Sequence, residues 1–201
     1  MIHAAEQDRP DVAARRSVWR VEQLGLDPRK LIFIDETCCK TNMTRLRGRA
    51  PRGERLIEKV PHGHWKTTTL IAALDHSGMR CATTVDGAVN ADVFTAFCEQ
   101  VLAPTLRAGE IVVMDNLTSH KVASVRASMQ SAGAQVLYLP PYSPDLNPIE
   151  LAFSKLKQLM RSARHRLVRD LWNDTQRMLN AITPTDAAHF FDHCGYTLRV
   201  K

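Results

Sequence analysis

Two aspartates each close a short apolar run: Asp35 ends Leu31 to Ile34, and Asp115 ends Ile111 to Met114. Runs of that kind suit buried strands whose ends deliver the acids to the rim of a sheet. If the strands are neighbours, the carboxylates come within the few ångströms that one cation can bridge. Unneutralised, they repel, and either proton uptake or a divalent ion relieves the repulsion; hard oxygen donors suit Mg²⁺ or Mn²⁺ better than zinc. The same pair also reads more plainly, as strand-end aspartates capping turns.

A third acid follows from helical geometry. Ile149, Phe153, Leu156 and Met160 form an apolar stripe on a helix that begins near Pro148. At roughly 100° per residue, Glu150 falls off that stripe and in line with Lys157 and Arg161. A carboxylate at the N-terminal end would then be followed by cations spaced to meet a phosphate backbone, and Glu150 could point into a cleft. A first-turn glutamate equally complements the positive end of the helix dipole. Glu36 is a rival to Asp35, but successive side chains on a strand point to opposite faces, which favours Asp35. Asn116 and His120, just past the second acid, could orient a ligand or contact phosphate, or cap the next helix. Tyr142 and Trp65 either stack on an unpaired base or pack within the protein.

The elements that position these residues can be read along the chain. Pro10 to Leu24 is expected to be a helix with Val12, Arg16, Trp19 and Gln23 on one side. After the first strand comes an Arg- and Gly-rich, hairpin-like stretch, RLRGRAPRGER, and then two antiparallel strands joined at Asp75-His76-Ser77-Gly78. Asn90 can cap the helix ADVFTAFCEQVLAPTL, whose core stripe is Val93, Phe94, Phe97, Val101 and Leu102. The second acid's strand, a helix over Lys121 to Ala132 stopped by Gly133, and the strand AQVLYLP follow. PPYSPDLNP is too proline-rich for either regular state and must be a rigid connection. Helices around Ile149 to Met160, Val168 to Ile182 and Pro184 to Cys194 complete an α/β fold, a mixed sheet with helices on both faces.

With 201 residues, 44% hydrophobic and 24% charged, the chain suits one folded domain, with residues 1–30 as a helical lead-in and 31–201 as the main body. No apolar run approaches the roughly 20 residues of a membrane helix, and the opening is too polar for a signal peptide, so a cytoplasmic location without membrane contact is expected. Five cysteines, none in a CxxC pair, argue against a disulfide framework or a cysteine zinc site. His62 and His64 stand close enough for zinc, but no second ligand pair accompanies them. The formal charge of +6 and pI near 9.3 favour a polyanionic partner. Basic residues cluster over Lys40 to Arg55 and over Lys155 to Arg169. From these and neighbouring positions Arg47, Arg49, Arg52, Lys121, Lys157 and Arg161 are the candidate DNA contacts, against the plainer reading of solvated surface.

FIDET, GRAPRGER, HGHWKTTT, VMDNLTSHK and above all LPPYSPDLNPIE resemble the transposases of the mariner-like superfamily, in its bacterial insertion-sequence branch. The likeness runs from about Leu31 to Gly195 and implies a ribonuclease-H-like fold. It also implies a catalytic triad of Asp35, Asp115 and Glu150, with 34 residues between the last two acids, the family's usual separation. Such a triad would hold two Mg²⁺ or Mn²⁺ ions. Water would attack first to free a 3′-hydroxyl at the element end, and that hydroxyl would then attack target DNA. The resemblance further implies DNA, both element ends and target, as partner, and a homodimer on DNA. Family members usually carry an N-terminal helix-turn-helix region, which the residues before FIDET cannot hold, so a separately encoded half is expected. The alternatives are a non-catalytic DNA-binding or regulatory fragment and a ribonuclease-H-like nuclease without strand transfer.

Overall fold

A computed structural model describes residues 5–60 and 64–198. Five strands form one sheet in the order β3-β2-β1-β4-β5. They are β1 (Leu31–Lys40), β2 (Thr67–Asp75), β3 (Gly78–Asp86), β4 (Ile111–Met114) and β5 (Gln135–Tyr138). β1 sits at the centre, antiparallel to β2 and parallel to β4, while β5 continues the parallel half. The helices are α1 (Pro10–Glu22), α2 (Ala91–Phe97), α3 (Ala123–Ser131), α4 (Pro148–Ala163), α5 (Val168–Asn180) and α6 (Pro184–His193).

Strand alternation splits the core in two. Leu31 and Phe33 of β1 pack with Trp19 of α1 and with Ile149, Phe153, Leu171 and Phe191 of α4 to α6. Ile32 and Ile34 turn the other way, against Phe94, Phe97, Val125 and Met129 of α2 and α3. The expected mixed sheet with helices on both faces is therefore present, and the uninterrupted apolar runs of β1 and β4 are explained by burial on both sides.

Local chemistry sets the boundaries. Pro opens α1, α4 and α6, where its missing N–H costs nothing. Asn90 Oδ1 accepts from Val93 N at 2.9 Å and caps α2, as expected. Thr183 and Asp186 form a reciprocal capping box on α6. Between β2 and β3 the chain reverses at Asp75 to Gly78, where Gly78 takes φ +129° and a Cβ would lie 3.2 Å from the Ile182 carbonyl. The side expected to face the core, Val12, Arg16 and Trp19 on α1 and Gln23 just past its end, is buried.

Three expectations are corrected. β1 does not end at the first acid: it runs on to Lys40, because β2 stays paired with it through Thr67. The stretch RLRGRAPRGER is no hairpin; it is an exposed loop with a single turn, Glu54 N donating to Pro51 O, and no strand partner compensates its backbone. The helix from Ala91 is regular only to Phe97, then widens over Cys98–Leu102 and tightens over Ala103–Thr105, where Pro104 cannot donate to an α-helical ladder.

The cysteines are all free thiols; burial pushes Cys39 up to about 11 and Cys98 and Cys194 up to about 12, which makes these three unreactive packing residues, while Cys38 is exposed. No described helix is long and apolar enough to cross a membrane.

Candidate active site

The register of the parallel pair sets the first two acids side by side. Phe33 of β1 is level with Val113 of β4, and each acid lies two residues further on. β4 stops at Met114 while β1 continues, so the sheet has a notch at this level, with Asp35 on its floor and Asp115 on its wall. Asp35 shares the face of Leu31 and Phe33, the face that α4 covers. Glu36 points to the opposite face.

Asp35, Asp115, Asn116, Tyr142, Asn147 and Glu150 all line one cleft of about 440 Å³, whose mouth is ribbed by Pro140, Pro141 and Pro144. The three sequence-predicted acids thus reach one cavity from β1, from the end of β4 and from the first turn of α4. Among the described residues no three His, Cys, Asp or Glu side chains are gathered closely enough to hold a metal as they stand. The acids share a cleft rather than a closed cage.

Asp35 is only 8% exposed. Its Oδ1 accepts from Glu36 N at 2.8 Å and its Oδ2 from Asn147 Nδ2 at 2.8 Å. Burial, with the negative charges of Glu150 and Asp115 adding to it, pushes its carboxyl up to about 8. Glu150, though exposed on one side, is raised as well, by partial desolvation at the cleft wall and by Asp115, against the nearby Lys157 ammonium. The like charges of Glu150 and Asp115 thus oppose ionisation of the buried Asp35.

Asp115 is held from behind. Its Oδ1 accepts from Leu117 N at 3.0 Å and lies 2.5 Å from His120 Nδ1, a close charge contact whose angle falls short of a good hydrogen bond. His120 is fully buried, stacks on Phe94 with ring centroids 4.0 Å apart, and sets Nε2 3.1 Å from both carboxylate oxygens of Glu36. Burial pulls the imidazole pKa down, but the carboxylates of Asp115 and Glu36 outweigh it and lift it to about 9. Glu36, rejected as a ligand because it points away from the cleft, is therefore tied to Asp115 through His120.

Asn147 was not singled out by the sequence. Its Nδ2 is spent on Asp35, while its Oδ1 is buried without a hydrogen-bond partner among the described residues. A hard oxygen left unpaired beside a buried carboxylate fits a cation or its hydration shell. The signal that could have found it is position, since Asn147 immediately precedes the proline that opens the helix of Glu150.

The remaining candidates are spread more widely. Tyr142 stands at the cleft mouth with a left-handed backbone, φ 54°, unusual for an aromatic residue. Lys157 and Arg161 follow Glu150 along α4, half-buried and without an ion-pair partner among the described residues. Other members of that basic cluster are committed to structure: Lys155 pairs with Asp186, Arg164 with Glu58, and Arg166 donates to the Thr41 and Met43 carbonyls. Arg47, Arg49, Arg52, Lys121 and Trp65 are exposed and do not line the cleft. His62 lies outside the described residues, so the His62 and His64 pair is not described.

The sequence from residue 30 to 172 matches the family model of the DDE superfamily endonucleases. Comparison with curated proteins gave no match. Among solved structures, the Mos1 transposase paired-end complex with left transposon end superposes with a TM-score of 0.80 at 18% identity, over 96% of this chain and 62% of that one. The Mos1 mariner paired end complex with Mn gives 0.74 at 17% identity, over 96% and 62%. The catalytic domain of Mos1 mariner transposase gives 0.66 at 16% identity, over 96% and 91%. At these identities the likeness establishes the fold, which is ribonuclease-H-like, and the chain spans about 62% of the length of the longer Mos1 chain.

Proposed function

The chain belongs to the DDE superfamily endonucleases, and from that premise we propose that it is the catalytic part of a DNA transposase, cutting phosphodiesters at element ends and joining the freed end to target DNA. The observation that carries the proposal is the convergence of Asp35, Asp115 and Glu150 on one cleft, with Asp35 crowded by the other two charges. Residues 31–201 form the catalytic unit in this reading and residues 1–30 its helical lead-in.

Asp35, Asp115 and Glu150 are the residues that would hold divalent ions, with Asn147 Oδ1 aimed at the same space. All the donors are hard oxygens, which fits Mg²⁺ or Mn²⁺, the ions of the Mos1 paired end complexes with Mg and with Mn. Bound there, such ions supply Lewis-acid stabilisation of the attacking and leaving oxygens in an in-line displacement. The protein's own part is positioning. Asn147 orients the Asp35 carboxylate, and His120, braced by Glu36 and Phe94, orients that of Asp115. Lys157 and Arg161 continue from Glu150 as cations suited to the phosphates flanking the cut.

DNA is the partner in this reading, consistent with a net charge of +6. Two chains would act together on the element ends in this reading; the Mos1 transposase structure is of a paired-end complex with left transposon end. Recognition of the ends would fall to a helix-turn-helix half. The test is product analysis: the chain is incubated with Mn²⁺, a supercoiled plasmid and a labelled duplex carrying a free 3′-hydroxyl. Nicked plasmid and label joined to plasmid, both lost in Asp115→Asn, are expected. Nicking without joining would reduce the function to a nuclease, and equal products from wild type and variant would remove the catalytic assignment.

A further inference from the structure

The segment that connects β5 to α4 carries Tyr142 on the cleft mouth and leads directly to Asn147 and Glu150, and it is held from outside as well as by its own turns. Arg16 of α1, only 8% exposed, reaches across the sheet edge and grips it. Its guanidinium donates to Asp145 Oδ1 at 2.9 Å and Oδ2 at 2.7 Å, a two-pronged pair. The same nitrogen that meets Oδ1 also donates to Ser143 Oγ at 2.7 Å and to the Tyr142 carbonyl at 3.3 Å. Gln7 Nε2 donates to that carbonyl as well, at 2.7 Å. Partial burial raises the Asp145 carboxyl, but the hydrogen bonds and charge of Arg16, with Arg20 adding charge, hold it below its ordinary value.

Left-handed backbone at a residue such as Tyr142 persists only where its surroundings over-determine it. Here Arg16 of α1 and Gln7 just ahead of it hold the Tyr142 carbonyl, beside the loop's own bond from Ser143 Oγ to the Pro141 carbonyl at 3.1 Å. Downstream, Leu146 is buried and its carbonyl accepts from Tyr196 Oη at 2.9 Å, while Asn147 grips Asp35. The loop is thus pinned at both ends, by Arg16 before the α4 start and by Asp35 at it, and Glu150 follows within one turn.

We infer that Arg16 is a positioning residue for phosphodiester cleavage: its fork on Tyr142, Ser143 and Asp145 sets the cleft mouth and, through it, the placement of Asn147 and Glu150. The inference rests on the function proposed above and assigns part of the active machinery to the N-terminal helix. A planar fork is needed because one donor group must satisfy a carboxylate, a hydroxyl and a carbonyl at once, which a lysine ammonium cannot do with the same geometry.

The test compares Arg16→Lys and Asp145→Asn with Trp19→Phe, a change on the same helix that removes the indole N–H to Tyr196 but leaves every Arg16 bond, and the Tyr196 bond to the Leu146 carbonyl, available. Melting temperatures, Mn²⁺ binding to the protein alone by calorimetry, and the kcat and KM of Mn²⁺-dependent cleavage are measured. Arg16→Lys and Asp145→Asn are expected to lower kcat by about tenfold or more, since small misplacements are costly to near-attack geometry, with KM for DNA little changed. Mn²⁺ binding should weaken in both. Trp19→Phe should lower the melting temperature and leave kcat and Mn²⁺ affinity near wild type. Should Arg16→Lys fail to fold, Asp145→Asn, which leaves the Ser143 and Tyr142 bonds available, carries the comparison. If wild type cleaves and both loop variants behave as Trp19→Phe does, Arg16 is a structural residue only and the inference falls alone. If wild type does not cleave, the proposed function falls and takes the inference with it.

Discussion

Asn147 Nδ2 donates to Oδ2 of Asp35 at 2.8 Å, joining the central strand to the start of the helix that carries Glu150. The bond orders the carboxylate that burial and like charge would otherwise drive away from the cleft. Asn147→Ala should therefore lower cleavage by about 10–100-fold, the usual range for residues that orient a metal-binding side chain, while far-UV circular dichroism stays that of the folded chain. A variant with wild-type rate would show that Asp35 needs no such partner.

Asp35 also makes metal-free stability depend on pH. Its carboxyl titrates at about 8 in the folded chain, against an ordinary value of 3.8. Below both values it is protonated in either state and has no effect. As pH rises above about 4 the unfolded chain releases the proton and the folded chain keeps it, so stability is lost progressively up to about pH 8. In EDTA, Asp35→Asn should melt above wild type at pH 8, with the gap closing toward pH 4. A constant gap across that range, read by thermal denaturation, would contradict the assignment.

His120 braces Asp115 from behind, so His120→Ala removes both the brace and the ring stacked on Phe94. A drop in stability and a cleavage loss of about 10–100-fold are expected. Glu36→Gln, which keeps shape but removes the charge that favours the imidazolium, should show a milder loss of activity. Wild-type rates in both, measured under single-turnover conditions, would reduce His120 to packing.

Much of this site is legible in the sequence because burial and periodicity are local properties. The apolar runs ahead of Asp35 and Asp115 reveal buried strands, and the stripe on α4 sets Glu150 off the core. Partnership is not local. Asp35 lies mid-strand because β2 remains paired with β1 beyond it, a matter of long-range register. Asn147 meets Asp35 across 112 positions, and Arg16 meets Asp145 across 129. Periodicity marks Arg16 as facing inward on α1, but nothing along the chain names its partner. The glycines and proline over Arg45 to Arg55 resemble a hairpin turn, whereas no strands flank them to pair among the described residues.

The basic residues should separate by what they already bind. Lys157→Ala and Arg161→Ala, without ion-pair partners among the described residues, should each weaken DNA binding regardless of sequence and reduce the slope of log affinity against log salt by about 0.9. Arg166→Ala, which loses its bonds to the Thr41 and Met43 carbonyls, should instead loosen the chain around them and lower the melting temperature. Equal salt slopes for all variants, by fluorescence anisotropy, would contradict the phosphate contacts.

The central claim is tested most directly by anomalous diffraction from crystals of the chain soaked in Mn²⁺. Anomalous peaks coordinated by carboxylate oxygens of Asp35, Asp115 and Glu150, and weakened in Asp115→Asn, are predicted. Mn²⁺ bound only elsewhere on the protein, with those three carboxylates unligated, would contradict the account.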